Sequence, residues 1–219
     1  MVKELIFVHG RPACGKDTQV DLITNSTTGA YKISGVYRSA FTRNGEHARL
    51  HDLVAPYMKP LGKGIDIPGK VVMDILDNII DDRSAHGDQT LFLCGLIRTL
   101  DHKRALDMFL SQRNEITVKH IYFSTPESMA IEHAQRRKVE NSKIGNERQD
   151  DKVELMKARL ERFKANTIPM LKELENERKL TIIRADKSIS EVAHDFRDFI
   201  VTETSIYNGL TRLRMGERA

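Results

Sequence analysis

The run Gly10-Arg11-Pro12-Ala13-Cys14-Gly15-Lys16-Asp17-Thr18 holds residue types and spacings that can do chemistry. Its glycines let a backbone turn so that N–H groups point inward around an anion. An apolar run, Leu5 to Val8, precedes the turn, and Val20, Leu22 and Ile23 follow it in a helical pattern. A helix opening here aims its partial positive end at the same anion. Lys16 adds a full charge that can follow the phosphates of a nucleotide. Strand, glycine loop and helix in succession are the setting of a phosphate-binding loop. The candidate nucleotide-binding residues are therefore Gly10, Pro12, Ala13, Cys14, Gly15, Lys16, Asp17 and Thr18. The plain pattern G-x-x-x-x-G-K-[ST] is broken at Asp17, with Thr18 one place later.

The elements that must carry this loop alternate between short β-like runs and helical patterns, which predicts an α/β fold. Strands are expected at Leu5–Val8, Ala30–Ile33, Thr90–Cys94, Val118–Phe123 and Leu180–Arg184, buried on both faces. Helices are expected near Gly15–Asn25, Ser34–Arg43, Gly69–Asp82, Asp101–Gln112, Pro126–Lys138, Asp150–Glu175 and Ser188–Thr204. Pro169 should bend or break the long helix that contains it. Lys138 to Asn146 is polar, carries a glycine and reads as a short mobile loop. Residues 206–219 form a polar, arginine-rich tail.

Pro12 after the first glycine, and Thr18-Gln19 after the lysine, make the loop resemble that of the adenylate kinase, or nucleoside monophosphate kinase, family, which reads G-x-P-x-x-G-K-x-T-Q. The likeness extends from Leu5 to about Ile200. It implies a P-loop NTPase-type three-layer sandwich with a five-stranded parallel sheet and a short lid. Within a core of residues 1–205, residues 34–82 would bind the acceptor nucleotide and residues 137–148 would form the lid. The implied reaction moves the γ-phosphate of ATP to a nucleoside monophosphate with Mg²⁺ present, as in nucleotide biosynthesis. Thr18 would sit by the metal. Arg38 resembles the arginine that grips the acceptor phosphate, and Cys94-Gly95-Leu96-Ile97-Arg98-Thr99 resembles D-G-F-P-R-T, which makes Gly95 and Arg98 acceptor ligands. Arg136 resembles the arginine at the lid's entry, Arg148-Gln149-Asp150-Asp151 the R-x-D-D at its exit, and Arg159 the last transfer-site arginine. Lys16, Arg98, Arg136, Arg148 and Arg159 would then spread the transition-state charge, since a guanidinium holds two phosphate oxygens at once. Gly64-Ile65-Asp66-Ile67-Pro68 resembles G-x-L-V-P, with Ile67 beside the acceptor base. Ser34 and His102 complete the expected acceptor site, His102 where the family often has a glutamine reading adenine.

Several residues depart from the family pattern. Cys94 replaces the aspartate that helps hold Mg²⁺ through water, and a thiol is a poor ligand for a hard cation. A non-catalytic or weakly active nucleotide-binding relative is therefore the alternative reading. Leu96 and Ile97 replace the phenylalanine and proline of the acceptor pocket, so the acceptor base is left open. No zinc is expected, since the lid segment has no cysteine. Cys14 reads as a small residue in the place of a serine or alanine.

Lysine and arginine exceed aspartate and glutamate by 35 − 31 = 4. That excess suits an anionic substrate or weak nucleic-acid binding, but no aromatic-rich basic stripe supports a nucleic-acid-stimulated NTPase. Two cysteines, no apolar run of membrane-spanning length and no signal-peptide pattern fit a cytoplasmic enzyme. The expected partners are small-molecule nucleotides, with no nucleic acid, no membrane and a monomeric state.

Overall fold

Alternating side chains along the central strands explain why this chain builds three layers. In β1 (Glu4–Gly10), Leu5 and Phe7 enter one core while Ile6 and Val8 enter another on the opposite face. β3 (Thr90–Cys94) repeats the division, with Leu91 and Leu93 set against Phe92 and Cys94. The computed structural model describes residues 1–41, 47–62, 65–143 and 153–205. With β2 (Ala30–Ser34), β4 (Thr117–Ser124) and β5 (Leu180–Arg184) they form one parallel sheet in the order β2-β3-β1-β4-β5.

One core is filled by α5 (Gly69–Ala85), α6 (Leu100–Leu110) and α9 (Ile168–Asn176), through Ile75, Leu76, Ile79, Leu106, Met170 and Leu171. The other is filled by α1 (Lys16–Thr24) and α10 (Ile189–Glu203). There the ring of Phe196 meets Phe92 and Phe123 edge-on at 6.1 and 5.2 Å. Ser188 and Glu191 start α10 with a reciprocal capping box, as the sequence signals. The remaining helices are α2 (Val36–Phe41), α3 (His51–Val54), α4 (Met58–Gly62), α7 (Glu127–Lys143) and α8 (Val153–Arg162). Among the described residues, no helix is long and apolar enough to cross a membrane.

Two expectations need correction. Burial on both faces holds for β1 and β3 but not for β5, where Thr181, Ile182 and Arg184 are exposed. The sheet order puts β5 at an edge, where covering helices reach less of the strand. The segment expected to loop from Lys138 is helical through Lys143, as part of α7; the rest of the expected lid falls outside the described residues, as does the tail 206–219. As expected, the long helix is interrupted at Pro169, which stands in the first turn of α9. A π-helical turn over Phe163–Thr167, closed by a hydrogen bond from Ile168 N–H to Phe163 C=O, stands before it and takes up the disturbance.

At the carboxyl end of β1 the chain turns through a space that only glycine allows. A Cβ on Gly10 would stand 2.4 Å from Cys14 Sγ and 3.3 Å from the Phe123 carbonyl oxygen. Cys14 is buried and fills this gap, as its reading as a small residue expected. Gly15, with φ 86°, then caps α1 in the left-handed region. Gly10→Ala should cost about 1–3 kcal/mol through overpacking, and the double variant with Cys14→Ala should recover most of it in urea denaturation. No recovery would make the Phe123 carbonyl the stronger obstacle.

Beneath that turn, His9 on β1 and His120 on β4 form a buried pair, Nε2 and Nδ1 3.1 Å apart with stacked rings. Burial holds His9 well below its usual value, with the neighbouring His120 and Lys16 adding to the effect. Burial also pushes His120 down to about 3, helped by Lys179 and Lys103. The unfolded chain therefore binds more protons than the folded one below the ordinary histidine value of 6.5. Stability should be full above pH 6.5 and fall as the pH drops below it, by up to roughly 1.4 kcal/mol per pH unit for each histidine. Urea denaturation at pH 7, 6 and 5 measures the slope, which His120→Asn should reduce. An unchanged slope would assign the acid sensitivity elsewhere.

Candidate active site

The carboxyl ends of β1, β2 and β3 open onto one cavity of about 430 Å³. This is the end of an open parallel sheet where ligands bind. The first turn of α1 forms its floor, and the leading amide groups of a helix have no intrahelical acceptor. Gly10, Pro12, Lys16, Asp17 and Thr18 all line it. Lys16 is largely covered and passes over Gly95, whose missing Cβ would lie only 3.8 Å from Lys16 Cε. Ala13, Cys14 and Gly15 shape the loop without lining the cavity. Ala13 takes a left-handed φ of 62°, and its carbonyl accepts from His133 Nδ1 on α7 at 3.3 Å.

Ser34 and Gly35 bring in the end of β2, and Gly95, Ile97 and Arg98 the turn after β3. Arg98 is held by its own turn, since Nε donates to the Gly95 carbonyl at 2.7 Å. Its guanidinium also lies 5.0 Å from the centre of the buried Tyr37 ring. Burial, ahead of Asp66's charge, pushes the Tyr37 hydroxyl up to about 12, against the pull of Arg98. That hydroxyl donates to the Leu96 carbonyl.

His102 is not placed to read a base. It is buried, and both ring nitrogens are engaged: Nδ1 accepts from Arg98 N–H at 3.1 Å, and Nε2–H donates to the Ile67 carbonyl at 2.6 Å. Those partners fix the tautomer. Burial outweighs the other influences and lowers its affinity for a proton. Ile67 itself points into the core and does not line the cavity. Its neighbour Asp66 does, accepting from Asn166 Nδ2 at 2.8 Å.

The arginines are placed differently from expectation. Arg159 lines the cavity. Arg136 does not: it reaches along exposed surface to Glu132 at 2.8 Å, and the next residue, Arg137, takes the inward position. Adjacent helical residues diverge by about 100°, so one of the two must face away. Arg38 stands on α2 with its side chain outside the described residues, and Arg148 lies wholly outside them.

The sequence reading missed Arg162, Phe163, Asn166 and Thr167, all of which line the same wall. A signal was available, since Arg159, Arg162, Phe163 and Asn166 recur at i, i+3, i+4 and i+7 on a predicted helix. Lys16, Lys32, Arg98, Arg137, Arg159 and Arg162 face Asp17, Asp21 and Asp66 across the cavity, so positive charge prevails. Lys32 and Asp21 pair at 2.5 Å. Such a field gathers a polyanion.

Cys94 lies buried at the end of β3 beside this charge, and burial, followed by the nearby Asp17 carboxylate, pushes its thiol far up. It stays protonated and offers nothing to a hard cation. Asp101 is no substitute, because it does not line the cavity; its carboxylate accepts from Gly69 N–H at 2.6 Å. Asp17 and Thr18 are the oxygen donors on the loop that line the cavity. Among the described residues no three histidine, cysteine or carboxylate groups gather around a common point.

No protein-family model matches the chain. It is 25% identical to a uridylate kinase of Saccharomyces cerevisiae over 90% of each chain. It is 24% identical to an adenylate kinase of Clostridium botulinum, over 87% of this chain and 95% of that one. A UMP-CMP kinase of Lentinula edodes is 25% identical, over 90% of this chain and 85% of its own. Along most of its length, and in setting a glycine loop at the end of a five-stranded parallel sheet, the chain is thus similar to nucleoside monophosphate kinases.

Proposed function

We propose that the protein is a nucleoside monophosphate kinase, a phosphotransferase that moves the γ-phosphate of ATP to a nucleoside monophosphate and releases two diphosphates. The observation that carries this reading is the joining of a helix-capped phosphate loop and an arginine-lined wall in one cavity. Phosphoryl transfer needs donor and acceptor held in line, and cations where charge spreads. The loop amides and Lys16 would hold the donor phosphates. Arg98, steadied by the Gly95 carbonyl and the Tyr37 ring, would hold the acceptor phosphate. Arg137, Arg159 and Arg162 stand on the α7, α8 side of the cavity, where they would neutralise the moving group. No general base is needed, because the acceptor phosphate is already anionic near neutral pH.

The charge of the phosphates calls for a magnesium ion, which would help neutralise it. Asp17 and Thr18 suit it, since Mg²⁺ is held by one or two protein oxygens together with substrate phosphates. Two free buried thiols support a reducing, cytoplasmic setting. The buried, neutral Cys94 favours a second reading, in which nucleotide binding persists with slow transfer.

Diphosphate formation from ATP with AMP, CMP, UMP, GMP and dTMP in turn, with and without Mg²⁺, tests the first reading. Turnover with one acceptor is expected, and Lys16→Ala should lower it by about 10²–10³-fold, the usual effect of removing a preorganised charge donor. ATP binding without turnover for any acceptor would favour the second reading, and a large gain with Cys94→Asp would identify the thiol as its cause.

A further inference from the structure

We infer that Asp66 and Asn166 read the base of the acceptor nucleotide, and that the base they select is guanine. This rests on the transfer reading above, in which the Arg98 side of the cavity takes the acceptor. Asp66 belongs to that side. Its charge and that of Arg98 both act on Tyr37 and on His102, and Ile67, the next residue, is bonded to the imidazole that receives Arg98 N–H. Asn166 reaches the same place from the π-helical turn.

The hydrogen bond between the pair decides what it can read. An aspartate carboxylate only accepts, so the amide of Asn166 must turn its Nδ2 toward Asp66 and its Oδ1 away. Each residue then keeps one oxygen for a ligand: Asp66 Oδ1 and Asn166 Oδ1 have no other hydrogen-bond partner among the described residues. Both side chains are half-buried and line the cavity. The wall therefore offers two acceptors on side chains joined by one hydrogen bond, which call for two donors on one ligand edge.

Of the common bases, guanine carries such an edge, N1–H beside the 2-amino group. Adenine and cytosine pair one amino group with a ring-nitrogen acceptor, which would face an oxygen here. Uracil and thymine carry one N–H flanked by carbonyls. Each mismatch sets an acceptor of this half-buried pair against another acceptor, the arrangement by which hydrogen-bonding sites reject analogues.

Isothermal titration of the full chain with GMP, AMP, CMP, UMP and dTMP, the phosphate loop filled by a non-hydrolysable ATP analogue, tests the assignment. GMP should bind tighter than UMP by about tenfold or more. Asp66→Asn, whose amide can also donate, should abolish that preference, and Asn166→Leu should weaken it; thermal unfolding reports whether each variant is folded. Tighter binding of any other monophosphate, or an unchanged order in both folded variants, would overturn the guanine assignment and leave the kinase reading standing. If none of the monophosphates binds the wild-type chain, both readings fall.

Discussion

A single neutral imidazole holds the Arg98 side of the cavity in place. The strand-end turn carrying Arg98 and the segment carrying Asp66 and Ile67 have no ladder of backbone bonds between them, and His102 supplies the tie to both. Asp101 adds a second tie through Gly69 N–H, at a point where a Cβ would stand 2.7 Å from its carbonyl oxygen. Protonation would turn His102 Nδ1 from acceptor to donor and set two N–H groups against each other. Burial prevents that. The next residue on α6, Lys103, is also buried, and its ammonium is surrounded by Asp107, Glu173 and Glu177. Two of these lie on or beside α9, so the helix that carries the imidazole is fixed to the helix that follows the cavity wall.

The phosphate loop was legible because its constraints are local. A glycine where Cys14 must pass, a left-handed cap at Gly15 and a lysine at the start of α1 are all written within a few residues. The two central strands were legible for a similar reason: Leu5–Val8 in β1 and Leu91–Cys94 in β3 are apolar because both faces are covered. What failed depended on distance in sequence. Whether β5 is exposed follows from its place at the sheet edge, which no period reveals. The choice between Arg136 and Arg137 is a matter of helix phase, and two adjacent arginines give the sequence no means of deciding it. His102 was misread because a polar residue near a site suggests a ligand contact, whereas its partners, Arg98 N–H and the Ile67 carbonyl, are backbone groups, one of them 35 positions away.

Charge in the cavity is arranged by depth as much as by sign. Cys94 is buried and neutral, Lys16 is largely covered, and Asp17 is half-exposed beside it at 3.9 Å. The strand end carries a thiol, while a carboxylate stands on the loop itself. The negative charge at this end of the cavity therefore sits on a more solvated element, where its desolvation cost is smaller.

The π-helical turn over Phe163–Thr167 has a bearing on how this chain should be compared with its relatives. One residue more per turn than an α-helix shifts the phase between α8, which ends in Arg162, and α9, which enters the core through Met170, Leu171 and Leu174. Both faces are satisfied only while the extra residue is present. Losing it would return the segment to α-helical phase and swing Asn166 by about 100° relative to one neighbour or the other. Chain length between Arg159 and Leu171 is thus itself part of the cavity wall's geometry. An insertion or deletion in that interval would change which side chains face the cavity more than many of the point changes around it.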